Sequence, residues 1–361
     1  MKRIFIKFIS TMLCAVMLFT LTSCAVLDKI AGNIEDKPTD ETTNTPNNDN
    51  APTLKYKRSD LKYSFLSVVE GFDEGAPAQL SYSVLDTASG TLNTLQIPTN
   101  TFISGGKKTL GALFKENYNT AISDGRGAAV NYACETLMDM LEADMLLPCD
   151  YYIYFDKTSL SDLVNEIDGV NLRIPFDMRF PDTTVIRSGD AELMGEDFWR
   201  VMSYGSYATG SELNAAKLLW ANVFYKLKES VSSDVLSLFM MNIRKNLYTS
   251  IPKTNGVDIF FLRKLLSLDN ELYKFASADV QNVVEGGTEL SVICKNTFLE
   301  KVNTFLSIYE TDIKSEDFDT QLRFSDSASM TVNDAYNSTV APTVIYSAHA
   351  VKNENIYIFA K

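Results

Sequence analysis

The stretch that most constrains the fold is "YYIYFDKTSLSDLVNEIDGVNLRIP", residues 151–175. It opens on a strand dense in aromatics, 151–156. A short helix over 159–168 follows, with Thr158 or Ser159 as its N-cap and apolar positions at Leu160, Leu163, Val164 and Ile167. Gly169 stands near the helix C-terminus, and 171–175 is a second strand. Strand, helix and strand in so short a run place a helix against a sheet, which selects an α/β or α+β architecture.

The preceding chain supplies more of that sheet. Residues 63–70 read as a strand and 71–75 as a turn. Residues 79–86, "QLSYSVLD", alternate apolar and polar, and 87–90 close a hairpin onto a strand at 91–97. Residues 125–147 carry Val130, Ala133, Leu137, Met140 and Leu141 at helical spacing, with Pro148 as the stop. Further amphipathic helices are expected over 212–230, 231–247, 256–268 and 295–307. "TVIYSAHAV" and "NIYIFAK" read as a terminal hairpin holding His349 as an ordinary strand residue. No internal repeat is visible.

The N-terminus reads as an export signal. Lys2, Arg3 and Lys7 precede an apolar run from Phe8 to Leu21 that is too short and wrongly flanked for a stable span. Leu21-Thr22-Ser23-Cys24 looks like a bacterial lipobox, so residues 1–23 are expected to be removed and Cys24 lipidated, which ties the protein to the membrane. Residues 32–54, rich in Asn, Thr, Asp and Pro, cannot bury enough apolar surface to offset their ordering entropy. We read 24–54 as lipidated terminus and tether. The net charge of −13 argues against nucleic-acid partners. Cys134, Cys149 and Cys294 show no C-x-x-C pairing, and with His349 alone there is no zinc constellation. A Cys134–Cys149 disulfide is open to an exported protein, but buried thiols are the simpler reading.

The order of motifs resembles the LytR-CpsA-Psr family. A meander ends in Ile-Pro, an aromatic strand leads into "FDKTSLSDLVNEIDGVNLRIPFDM" (155–178), and "IRSGDAELMGEDFWRVMSYG" (186–205) follows. The resemblance covers about 65–308 and gives a domain at 55–308 with an extension at 309–361. It implies a central mixed sheet with helices on both sides and an apolar groove for a polyprenyl tail. It also implies a phosphotransferase of Gram-positive envelopes, which moves a glycan from a polyprenyl-pyrophosphate to peptidoglycan. Arginines would grip the pyrophosphate and aspartates would hold Mg²⁺. Such chemistry is mostly positioning and charge neutralisation.

At the site positions the sequence departs from that pattern. The family's Ile-Pro-Arg-Asp is here Ile97-Pro98-Thr99-Asn100. Its Arg-Ser-Asp-Thr falls on Ala76-Pro77-Ala78-Gln79. Its paired arginines fall on Ser203 and Gly205, and its Gly-Arg-x-x-Arg-Gln on Gly210, Ser211, Asn214 and Ala215. Asp73 is the retained carboxylate, and its neighbouring arginine position is Gly75. Thr99, Asn100, Ser203 and Gly205 are therefore the degenerate ligand positions. Asp73 is the one catalytic candidate, and it also reads as an ordinary turn aspartate. Lys107, Lys108, Arg126 and Arg200 could still supply charge but read as solvated surface. Gly105-Gly106-Lys107-Lys108-Thr109 lacks the first glycine of a phosphate loop. Tyr151, Tyr152, Tyr154 and Phe155 are expected in core and sheet. Glu192 and Glu196 flank a helix start, where carboxylates suit the dipole.

The expectation is a membrane-anchored, non-catalytic envelope protein at the outer face of the cytoplasmic membrane. It would bind a polyprenyl-linked glycan or an envelope-assembly partner and use no cofactor. The alternative is an active phosphotransferase with a rearranged site, for which Mg²⁺ would be required.

Overall fold

The structure, a computed structural model, describes residues 56–103, 108–174, 177–208, 212–232, 235–252, 256–268, 273–285, 288–318 and 324–325. The chain divides into Met1–Thr53 and Leu54–Lys361, and all described residues lie in the second unit. The signal, Cys24, the tether, Lys107, Gly210, Ser211 and the terminal hairpin lie outside the described residues.

Ten strands and eight helices carry the argument. The strands are β1 (Lys62–Glu70), β2 (Pro77–Asp86), β3 (Thr91–Ile97), β4 (Tyr151–Phe155), β5 (Val170–Ile174), β6 (Gly189–Leu193), β7 (Tyr248–Thr249), β8 (Tyr273–Ser277), β9 (Val280–Glu285) and β10 (Thr288–Cys294). The helices are α1 (Leu110–Ala121), α2 (Arg126–Met145), α3 (Lys157–Glu166), α4 (Gly195–Ala208), α5 (Glu212–Ser230), α6 (Leu236–Ile243), α7 (Val257–Ser267) and α8 (Lys295–Glu300).

Six strands form the central mixed sheet, in the order β7-β4-β1-β2-β3-β8. The β1–β2–β3 meander is antiparallel, while β4 joins β1 and β8 joins β3 in parallel. The C-terminal ends of β1, β3, β4 and β8 therefore converge on one end of the sheet. Sheets of this kind receive ligands there.

Both faces are covered, and the period-two alternation divides the core between them. Leu66, Val68, Leu80, Tyr82, Leu95 and Ile97 face α1, α2 and α8. Phe65, Val69, Leu85, Leu92, Phe155 and Phe275 face α3 to α7. The polar residues of "QLSYSVLD" thus point at helices, not at water: Ser81 is buried. Tyr309, Ile313 and Phe318, beyond 308, are buried with the α1–α2 face.

Several boundaries differ from the expectation. The cap of α3 is Asp156, not Thr158 or Ser159. Ser159 N–H donates to Asp156 Oδ1 at 2.7 Å, and Asp156 N–H donates back to Ser159 Oγ at 2.9 Å, a reciprocal capping box. Helix α2 stops before Pro148, because Leu146 turns left-handed and sends its N–H to Leu141. The expected 231–247 helix shrinks to α6, and Ser232 ahead of it favours non-helical backbone. The 295–307 helix is α8 followed by a wider π turn at Lys301–Leu306. Helix α1 and strands β6 to β10 are additional elements. The signal for α1, Leu110, Phe114 and Tyr118 four apart, is present in the sequence. Cys134, Cys149 and Cys294 are all free thiols, with Cys134 and Cys294 buried.

Candidate functional site

At the convergent strand ends, a register shift between Val69 and Glu70 re-aims the last residue of β1. The Glu70 carboxylate turns inward and is buried. Its Oε1 accepts from Gly75 N–H and from the Tyr154 hydroxyl, both at 2.7 Å. Arg126, the first residue of α2, donates to Glu70 Oε2 at 2.7 Å and to Glu74 Oε1 at 2.9 Å. The same guanidinium lies 3.3 Å from Asp156 Oδ2, at the end of β4. One arginine therefore ties together the ends of β1 and β4, the β1–β2 turn and the start of α2.

Burial alone would lower the pKa of Arg126, but the surrounding carboxylates, Glu70 foremost, outweigh it and raise it. The Tyr154 phenol is pushed up, first by burial and then by Glu70. Tyr118 is pushed up to about 12 by burial and by its bond to Glu74. Both phenols stay protonated at neutral pH and act as donors to carboxylates.

The named candidates fall around this cluster in unlike settings. Asp73 is exposed and pairs with Lys115. Gly75 takes a φ of +73°, and a Cβ there would meet the Tyr118 ring at 2.3 Å. An arginine at that position is excluded by both backbone and space. Thr99 and Asn100 are partly buried and tied down: Thr99 carbonyl accepts from Gly111 N–H at 2.7 Å, Asn100 carbonyl from Ser291 N–H at 3.1 Å. Ser203 is fully buried on α4, its hydroxyl 3.5 Å from the Glu70 carbonyl, which also accepts from Trp199 Nε1 at 2.9 Å. Gly205 lies two residues further along α4. An arginine at 203 would have to displace packed core.

The positive charges are aimed, but at carboxylates. Lys108 pairs with Glu116. Arg200 binds Asp182, Asp197 and Glu196 at 2.7, 2.9 and 3.0 Å, and Lys157 also reaches Glu196 at 3.0 Å. Glu196 sits in the first turn of α4, whereas Glu192 belongs to β6. The resemblance implies aspartate-bound Mg²⁺. The donor set does not fit it: the inward carboxylates are committed to Arg126. Among the described residues no group of three acidic, His or Cys side chains is arranged to hold a metal.

Beneath the other face lies a cavity of about 180 Å³, its walls mostly aromatic and aliphatic. It extends from Phe155 and Leu163 near the strand-end cluster to Leu85, Leu92 and Leu265 at the opposite end of the sheet. Its floor is the meander, where Ser67, Ser81, Ser83 and Thr94 replace bulky side chains; Ser83 and Thr94 hydroxyls bond each other at 2.8 Å.

The fold built on this six-strand mixed sheet matches known structures. Protein gbs0355 of Streptococcus agalactiae superposes with a TM-score of 0.55 at 13% identity, over 73% of this chain and 92% of that one. TagV of Bacillus subtilis, a LytR-CpsA-Psr-family protein, gives 0.51 at 19% identity, over 74% and 99%. This chain has a LytR-CpsA-Psr-like fold. No family model matches its sequence. An uncharacterised protein of Staphylococcus aureus is 24% identical over 139 residues, and the match spans 34% of each chain. The LytR-CpsA-Psr-like scaffold is thus kept at low sequence identity.

Sequence reasoning missed Glu70, Tyr154 and Asp156 as members of the strand-end cluster. Glu70 had a signal, a lone carboxylate closing an apolar strand. The role of Arg126 had none, because it depends on how α2 docks.

Proposed function

We propose that this protein is a cell-envelope lipoprotein, held through lipidated Cys24 at the outer face of a Gram-positive cytoplasmic membrane. Its LytR-CpsA-Psr-like domain holds polyprenyl-linked envelope material, or a partner that carries it, without transferring phosphoryl groups. The observation that carries this reading is the contrast between a retained apolar cavity and a strand-end cluster whose arginine is consumed by its own carboxylates. Phosphoryl transfer needs cations directed at an anionic group. Here Arg126 and Lys115 face Glu70, Asp73, Glu74 and Asp156, so acids outnumber bases.

The purified full chain, given a labelled lipid-pyrophosphate glycan, peptidoglycan and Mg²⁺ or Mn²⁺, is expected to show no transfer. Turnover that disappears in Asp73→Ala would establish the phosphotransferase alternative instead. For the anchor, a fatty-acid probe fed to cells should label the wild type and not Cys24→Ala. Equal labelling of both would remove the lipoprotein assignment.

A further inference from the structure

The cavity wall contains one charged pair that the strand-end site does not use. Arg244, just past α6, and Asp258, in the first turn of α7, both line the cavity. Arg244 Nη2 lies 2.9 Å from Asp258 Oδ2. The Asp258 side chain is 7% exposed and that of Arg244 25%, so the carboxylate is buried and the guanidinium partly so. Asp258 Oδ1 accepts from Ile259 N–H at 2.9 Å, while no hydrogen bond is aligned on the buried Oδ2. Oδ2 therefore meets Arg244 as an ion pair and keeps a lone pair open to a further donor. Ser81 is also buried against the cavity.

Building on the reading that the cavity holds an isoprenoid tail, we propose that its ligand is a single-chain amphiphile with an uncharged hydroxyl head, a polyprenol-type alcohol, seated on the Arg244–Asp258 pair. A hydroxyl accepts one hydrogen bond and donates another, which suits a guanidinium beside a carboxylate with an unused lone pair. A phosphate on Arg244 would lie against the buried Asp258 carboxylate, where water screens the repulsion poorly. The strand-end cluster offers an anion nothing better. Arg126, Lys115, Lys157 and Arg200 are all engaged, by Glu70, Asp73, Glu74, Asp156, Asp182, Glu196 and Asp197. Both polar regions along the cavity therefore disfavour a charged head, so of the two readings above a partner carries the pyrophosphate-linked glycan and this cavity takes the free alcohol. The apolar walls contribute to binding through the tail, at about 0.8 kcal/mol per buried CH₂.

The test compares geranylgeraniol with geranylgeranyl monophosphate on the purified full chain, followed by the fluorescence of Trp220, which lines the cavity. The alcohol should bind at least about tenfold more tightly. Asp258→Asn keeps the shape and removes the negative charge, so it should shift the preference toward the phosphate by about tenfold or more. Arg244→Gln should weaken the alcohol without improving the phosphate, and it serves as the second variant if Asp258→Asn does not fold. Equal or tighter binding of the phosphate by the wild type would overturn the proposal and leave the tail-binding reading standing. An unchanged preference in a folded Asp258→Asn protein would overturn it as well. Binding of neither probe would overturn both.

Discussion

The two faces of the central sheet are built from the same three meander strands and end up unlike. Toward α1 and α2 the strands present Leu66, Val68, Leu80, Tyr82, Leu95 and Ile97, all nearly inaccessible and closely packed. Toward α5, α6 and α7 they present Ser67, Ser81, Ser83 and Thr94 in the central part, and a cavity is left above them. Both faces are buried, so the difference is one of volume rather than exposure. A short hydroxyl side chain is tolerated in a covered sheet where it bonds a neighbour, as Ser83 and Thr94 do, or where it borders a ligand space. One face sets stability, and the other keeps room.

The largest effect should come from the packed face. Leu66→Ala is expected to cost about 2–5 kcal/mol in urea unfolding, since the neighbours can collapse only partly. Ser81→Ala, on the neighbouring strand but the other face, should change stability by no more than about 0.5 kcal/mol. If the two cost the same, the division between packed and hollow faces fails.

Arg126 is next. Arg126→Ala leaves Glu70 and Asp156 without their cation and should cost about 3 kcal/mol. Adding Glu70→Gln should recover part of that loss, which a double-mutant cycle would read as coupling. Additive losses would mean that the guanidinium does not hold the strand ends together.

Filling the cavity sharpens the contrast further. Ser81→Leu should alter stability by less than about 1.5 kcal/mol, because the floor already borders empty space. It should nevertheless abolish geranylgeraniol binding. A strongly destabilised Ser81→Leu protein would show that the hollow face is as tightly packed as its opposite.

The smallest effect belongs to the surface clamp on α4. Arg200→Ala should cost at most about 1 kcal/mol at neutral pH. Burial pulls Asp182 slightly up, but the Arg200 hydrogen bond prevails and holds it below its ordinary value; Glu196 is likewise held down, by Lys157 first. A carboxylate with a depressed folded pKa stabilises the protein above its unfolded value and loses that contribution as pH falls through the folded one. The melting difference between wild type and Arg200→Ala should therefore shrink below about pH 4. A difference that persists in acid would assign the effect to packing of the arginine stem.

Local chemistry determined much of this molecule. Period-two alternation in 79–86, the apolar spacing of 160–167 and the turn at 71–75 are short-range patterns, and each produced the element it implies. That Thr99, Asn100, Ser203 and Gly205 carry no charge was equally legible, because residue identity needs no fold. Tertiary structure decided the rest. The serines of β2 read as one side of a half-exposed strand until helices close over them, and only then become the floor of a cavity. Arg126 reads as solvated surface until the docking of α2 brings it to the ends of β1 and β4. Arg244 and Asp258, in separate helical segments, form a pair only where α6 and α7 meet the cavity. Sequence patterns report on neighbours a few residues away, whereas electrostatic partners and enclosed volume depend on which distant segments share a face.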